Sequence, residues 1–224
     1  HKMVAKIWRT PARSIVSVNF EQLLTVFALS FLIIAIYLLA FHAIILIFTH
    51  HMKEFGFIHM AVRPDEQIGL HEHPEWEISY VVRGSGMRTM VTVCESFGPG
   101  EVVMVQPDMP HCWAFDSSYS EIECMSLFFS NSLLERISGL SDGMAEVVRL
   151  ATGTPDTVAF GGRALATLSA LMAQMAQMAD AQRMVAFQQM LLAIAGNDGK
   201  RSVGRMADDV EQRLGRIRVY INCN

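Results

Sequence analysis

Three histidines and one glutamate stand at spacings typical of a metal or ligand site. His71, His73 and Glu77 form an H-x-H-x-x-x-E pattern, and His111 follows a separate proline-rich turn. Side chains alternate along a strand, so His71 and His73 point the same way, and a histidine from a distant strand can join them inside a small barrel. Such a set could bind a divalent metal, as in iron oxygenases, or hydrogen-bond a hydroxylated ligand. The two histidines could also merely cap strand ends.

The elements that would hold these residues are short strands. Alternating runs spaced as in an all-β barrel predict strands over residues 55–62, 76–83, 87–93, 101–105, 112–115 and 122–129. Gly84 and Gly86 predict a hairpin turn between the second and third runs, because glycine accepts positive φ angles. A β-sandwich without a pocket is an alternative, but it leaves the histidine spacing unexplained.

Beyond Ser130 the hydrophobic period becomes helical. Ser132 and Glu135 have the spacing of a capping box, and a second helix is predicted to begin at Asp142. Residues 157–160 indicate a short extended segment, and two longer helices over 165–179 and 184–194 predict an αα-hairpin. The methionines along these helices are typical of packing. Residues 196–202 are interpreted as a linker.

Composition excludes several classes of function. The net charge of −4 and a pI near 6.1 do not favour nucleic-acid binding by the chain as a whole. The four cysteines show no C-x-x-C spacing, which argues against a zinc finger and indicates reduced, mostly buried thiols.

Residues 23–48 are almost entirely apolar and carry no charge. As a helix they would extend roughly 39 Å, enough to span a membrane. The basic residues before them would then place the rest of the chain outside the cell. The alternative, which we favour, is that residues 1–51 are a non-native upstream segment and that Met52 is the natural start.

The site pattern resembles the cupin fold. The positions of two cupin motifs are matched, although Pro110 stands where cupins usually have glycine; the matched residues are His71, His73, Glu77, Gly84, Gly100, Pro107 and His111. The resemblance implies a fold that is mainly β with α: a cupin-like jelly-roll β-barrel, followed here by an αα-hairpin.

The order of barrel, helical hairpin, linker and the closing residues 213–224 resembles the AraC family of bacterial transcription regulators. In that family the closing segment is the first helix of a domain with two helix-turn-helix units. The resemblance implies a ligand-sensing barrel over 52–130, a helical dimerisation region over 131–196, and a linker with the start of a DNA-binding domain over 197–224. It excludes residues 1–51, in agreement with a start at Met52.

The resemblance also implies a function. A sugar or other small hydroxylated metabolite would be bound by His71, His73, Glu77 and His111, with Trp76 or Trp113 as a flat apolar wall. Neither a metal nor another cofactor nor catalysis is implied. The regulator would be a cytoplasmic homodimer joined through the helices from Leu165 to Ile194, and would contact DNA only through its helix-turn-helix domain. The alternative is a free-standing metal-dependent cupin enzyme, an oxygenase or isomerase, that uses the same four polar residues.

Overall fold

The computed structural model describes residues 54–67, 69–91, 93–196 and 199–205. The apolar segment over 23–48, the proposed start at Met52 and the closing helix over 213–224 lie outside these residues. No helix within the described ranges is long and apolar enough to cross a membrane.

The described strands form two antiparallel sheets. They are β1 Phe55–Val62, β2 Trp76–Arg83, β3 Gly86–Met90, β4 Val93–Phe97, β5 Val102–Val105, β6 His111–Phe115, β7 Ile122–Phe129, β8 Asp156–Phe160 and β9 Lys200–Arg205. One sheet has the order β1-β7-β2-β5-β8-β9 and the other the order β4-β3-β6. Apolar side chains from both sheets pack together in two interior clusters. This confirms the predicted cupin-like barrel.

Within the described residues, four α-helices cover the other face of the larger sheet. They are α1 Asn131–Ser138, α2 Asp142–Thr152, α3 Gly162–Met175 and α4 Asp180–Ala195. Buried residues of α3 and α4, among them Met172, Met175 and Phe187, pack against Ile78 and Phe129 of the sheet. The methionines are therefore core packing, and α3 with α4 forms the predicted αα-hairpin.

The predicted hairpin between β2 and β3 is wrong. Both edges of β2 are already paired, one with β5 and the other with β7, so β3 has no free edge there and joins the smaller sheet. The chain passes between the sheets at Gly84, whose φ of +115° and close approach to the ring of Phe115 leave no room for a side chain. The observed hairpin joins β3 to β4, through a turn that includes Val91 at φ 38°.

The first helix begins two residues earlier than the capping-box pattern predicted. The hydroxyl oxygen of Ser130 accepts a hydrogen bond from the backbone N–H of Leu133 at 3.1 Å, so Ser130 is the N-cap. The Ser132 hydroxyl instead donates to Glu54, at the start of the described chain. Ser130 and Ser132 could each have been the N-cap, but the Ser132 hydroxyl is bound to Glu54, so Ser130 caps the helix.

The predicted linker contains a strand. Lys200–Arg205 forms β9, which pairs with β8 at the edge of the larger sheet, although the sequence suggested a linker as far as Ser202. Val203 is buried in the barrel interior with Met90 and Met109, and this burial stabilises an otherwise polar strand. The barrel thus takes two strands from beyond residue 130.

Candidate functional site

The structure brings His71, His73, Glu77 and His111 together, and we call them the four-residue site. His71 and His73 lie in the loop before β2, Glu77 is the second residue of β2, and His111 opens β6. Paired backbone hydrogen bonds of 3.1 and 2.9 Å join His71 to His111. One potential ligand atom from each of the four side chains lies within 4.8 Å of the others.

Backbone carbonyls orient all three imidazoles. The Nδ1 atoms of His71, His73 and His111 lie 2.9, 3.0 and 2.6 Å from the carbonyl oxygens of residues 69, 75 and 109, respectively. A carbonyl only accepts, so each Nδ1 carries the hydrogen and donates it. In a neutral ring Nε2 then keeps its lone pair. Three Nε2 atoms are thereby available to a cation or to a hydroxyl donor.

The carboxylate of Glu77 completes the site. It is buried, and its Oε2 lies 3.1 Å from Nε2 of His73 and 3.3 Å from Nε2 of His111. Its Oε1 accepts a hydrogen bond of 2.7 Å from the hydroxyl of Ser126 in β7. The sequence did not predict Ser126 as part of the site. It lies two residues from both Cys124 and Phe128 in β7, so strand alternation places all three on the inward face.

The site holds a negative charge among imidazoles. Burial alone would raise the pKa of Glu77, but its close contacts with His111 and His73 hold the pKa well below that of an ordinary glutamate. Burial alone would lower the pKa of His73, but Glu77 raises it above the usual value. Burial, followed by the nearby His111, lowers the pKa of His71 to about 4. At neutral pH the site therefore contains a carboxylate and an uncharged His71.

These atoms fit a divalent transition metal. Nε2 of His111 is buried without a hydrogen-bond partner, beside Oε2 of Glu77. With neutral imidazoles, the Nε2 lone pairs would face a carboxylate oxygen with no hydrogen between them, which is unfavourable unless a cation lies there. Protonation of His73 at Nε2 would place a hydrogen between that nitrogen and Oε2 of Glu77. Three nitrogens and one oxygen are also ligands typical of zinc, iron, manganese or nickel, and would supply Lewis-acid or redox chemistry when loaded.

The space beside the site is small. A cavity of about 230 Å³ is lined by Leu70, His71, Glu72 and Pro110. Pockets for drug-sized ligands usually measure about 300–1,000 Å³. Of the four site residues only His71 lines this cavity, so its size suits a compact molecule that contacts His71.

The two candidate tryptophans lie on opposite faces of the barrel wall. Trp113 is two residues after His111 and shares its face; their ring centroids are 5.4 Å apart, and the Trp113 Nε1 is buried without a partner. Trp76 precedes Glu77 and points away from the site. Its Nε1 donates to Asn131, and its ring stacks on Phe129 in the core below the helices. Of these two tryptophans, Trp113 is the one positioned as an aromatic wall.

A second polar cluster inside the barrel was not predicted. Arg88 of β3 is fully buried and donates to Glu95 of β4 and to Glu101, which precedes β5. Arg201 of β9 also contacts Glu95, at 2.7 Å. The sequence did contain a signal for this cluster, because strand alternation places Arg88 on the same inward face of β3 as Gly86 and Met90.

Comparisons with known proteins agree with the architecture. The model of a family described as "AraC-like ligand binding domain" matches residues 55–192. No match was found among curated proteins.

Solved structures also resemble the chain. The plu4264 protein from Photorhabdus luminescens is 17% identical, with 36% of this chain and 66% of that chain covered and a TM-score of 0.31. A single-residue variant of oxalate decarboxylase from B. subtilis is 22% identical, with 36% and 22% covered and a TM-score of 0.29. The AraC-like transcriptional activator CuxR is 12% identical, with 77% and 61% covered and a TM-score of 0.45. The chain spans less than two thirds of each of these proteins.

Proposed function

Because this chain belongs to the family of AraC-like ligand-binding domains, we propose that its barrel senses a small hydroxylated effector, such as a sugar, for a transcription regulator. The effector is bound at the four-residue site, with Trp113 beside it. Its arrival alters regulation by favouring one arrangement of the protein over another.

One observation carries this proposal. Each histidine donates Nδ1–H to a backbone carbonyl, so the Nε2 of an uncharged ring such as that of His71 faces the site as an acceptor. The adjacent oxygen of Glu77 is an acceptor as well. Such a group of acceptors is complementary to a ligand rich in hydroxyl donors, and the cavity of about 230 Å³ beside His71 is sized for a compact one.

Thermal unfolding with a series of pentoses, hexoses and polyols tests the proposal. A ligand present at 100 times its Kd should stabilise the fold by about 2.7 kcal/mol and raise the Tm accordingly. His71→Gln should abolish this shift. The matched control is His59→Gln, which removes a histidine paired with Glu123 on the outer side of β1. If no hydroxylated compound stabilises the chain, or if His71→Gln responds as the wild type does, the proposal is wrong.

A metal-dependent cupin enzyme is the second candidate. The donor set favours it, since four ligand atoms lie within 4.8 Å of one another and the Nδ1–H groups already direct each Nε2 inward. Elemental analysis of the purified protein distinguishes the candidates. Stoichiometric iron, manganese or zinc that His71→Ala removes would favour the enzyme, whereas metal-free protein that binds a polyol would favour the sensor.

We further propose a cytoplasmic homodimer formed through α3 and α4. Most of their apolar residues are already buried in the chain's own core, so the contact must use what remains exposed. Val185 and Leu192 lie one heptad apart on α4, and both are largely exposed. Val185→Glu with Leu192→Glu should give a folded monomer in sedimentation. A wild-type chain that is monomeric at high micromolar concentration would contradict this. DNA contact belongs to a helix-turn-helix domain of the kind that residues 213–224 resemble.

A further inference from the structure

We propose that Ser126 is a positioning residue for the four-residue site. By holding Oε1 of Glu77, it presents Oε2 alone, as a single-oxygen ligand, to a divalent transition metal bound by the three Nε2 atoms. The proposal rests on the metal-binding candidate for this site. It gives β7, which supplies none of the four ligands, a role in metal binding.

Strand pairing places Ser126 where it can act on Glu77. In the β2–β7 ladder Ser126 lies opposite Ser79, and Glu77 is two residues before Ser79 on the same inward face. Diagonal neighbours of this kind are within reach of a long side chain. The Ser126 hydroxyl has one hydrogen, and it donates that hydrogen to Oε1 at 2.7 Å.

This hydrogen bond removes a choice that the carboxylate would otherwise have. A free carboxylate can coordinate a metal through one oxygen or through both. With Oε1 engaged by Ser126, Oε2 is the oxygen that lies 3.1 and 3.3 Å from two Nε2 atoms. The ligands are then three nitrogens and one oxygen. Without the hydroxyl, Oε1 is buried and unsatisfied, and Glu77 is free to rotate and to bind through both oxygens.

A purely structural role for Ser126 is the competing explanation, and the barrel offers a matched control. Ser79 is directly across from Ser126 and faces the same interior; Ser79 is buried, and Ser126 is partly buried. The described hydrogen bonds of Glu77 go to Ser126 and His73, not to Ser79. Ser79→Ala therefore removes the same atom from the facing position of the ladder without freeing the carboxylate.

Cobalt(II) is the probe, since its visible absorption reports the number and geometry of its ligands. The 224-residue chain, as wild type or variant, is titrated with CoCl₂, and Kd is measured by competition with a chelator. Ser126→Ala should weaken binding about 10–100-fold, the usual loss when a group that orients a metal ligand is removed, and should change the spectrum. Ser126→Thr should keep most of the affinity and the wild-type spectrum, and Ser79→Ala should match the wild type.

Each contrary result overturns the proposal. It is wrong if Ser126→Ala keeps the wild-type Kd and spectrum, or if Ser79→Ala loses as much affinity. If Ser126→Ala does not fold, Ser126→Val carries the same expectation, because valine has about the size of threonine but lacks the hydroxyl donor. A wild-type chain that binds no cobalt also overturns it, yet leaves the metal-free sensor intact. Failure of polyols to bind would reject the sensor proposal but would leave the proposal for Ser126 unaffected.

Discussion

Replacing Arg88 with methionine tests whether buried ion pairs hold the two sheets together. Its guanidinium lies inside the barrel, between Glu95 of the smaller sheet and Glu101 at the start of β5 in the larger one. Methionine keeps much of the length and apolar volume of the side chain but removes the charge and the donors. The change therefore isolates the electrostatic contribution from the packing.

The degree of burial sets the expected size of the effect. The Arg88 side chain is 0% exposed, whereas those of Glu95 and Glu101 are 26% and 20% exposed. Breaking a buried ion pair by removing one partner costs about 3–5 kcal/mol. Water and Arg201 still reach the two carboxylates, so we expect the lower end, about 3 kcal/mol, or roughly 6–12 °C in Tm for a chain of this size.

Urea unfolding, followed by circular dichroism and tryptophan fluorescence, measures the loss. The control is Arg149→Met, which breaks an exposed pair with Glu146 on α2 and should leave the midpoint nearly unchanged. The m-value should stay constant in both variants. A loss below about 1 kcal/mol for Arg88→Met would show that the buried pairs contribute little beyond their desolvation cost.

Three further predictions concern the site, the core and a helix end. The pKa of His71 is lowered to about 4 in the folded protein, so between pH 6.5 and 4 the unfolded chain binds a proton at this residue more readily than the folded chain does. The free energy of unfolding should therefore fall by up to about 1.4 kcal/mol per pH unit as the pH drops from 6.5 to 4. His71→Asn should flatten this slope in urea titrations. Phe187→Ala removes a fully buried ring that contacts Phe55 and Phe129, and should cost about 3–5 kcal/mol in the same assay. Ser130→Ala should cost about 1 kcal/mol through loss of the α1 cap, and a smaller effect than that of Ser132→Ala would contradict the assignment.

Local periodicity accounts for the parts of the fold that could be predicted. The runs over 55–62 and 122–129 match the bounds of β1 and β7. Burial alternates from His59 to Val62 and from Met125 to Phe129, as expected when successive side chains of a strand point to opposite faces. The same rule correctly placed His111 on a barrel strand. It also separates Trp76 from Glu77, since adjacent residues of a strand point to opposite faces. These features depend only on neighbours in the chain.

The pairing of strands depends on contacts between distant residues, and the sequence does not state them. Nothing in β2 or β3 reveals that both edges of β2 are taken, and the polar run that forms β9 becomes a strand because Val203 fills the barrel interior. The sequence by itself determined the types and spacing of the four site residues. Only the tertiary structure decided that Ser126 restrains Glu77 and that Arg88 joins two sheets, because a hydrogen bond or ion pair across strands exists only once the register is set.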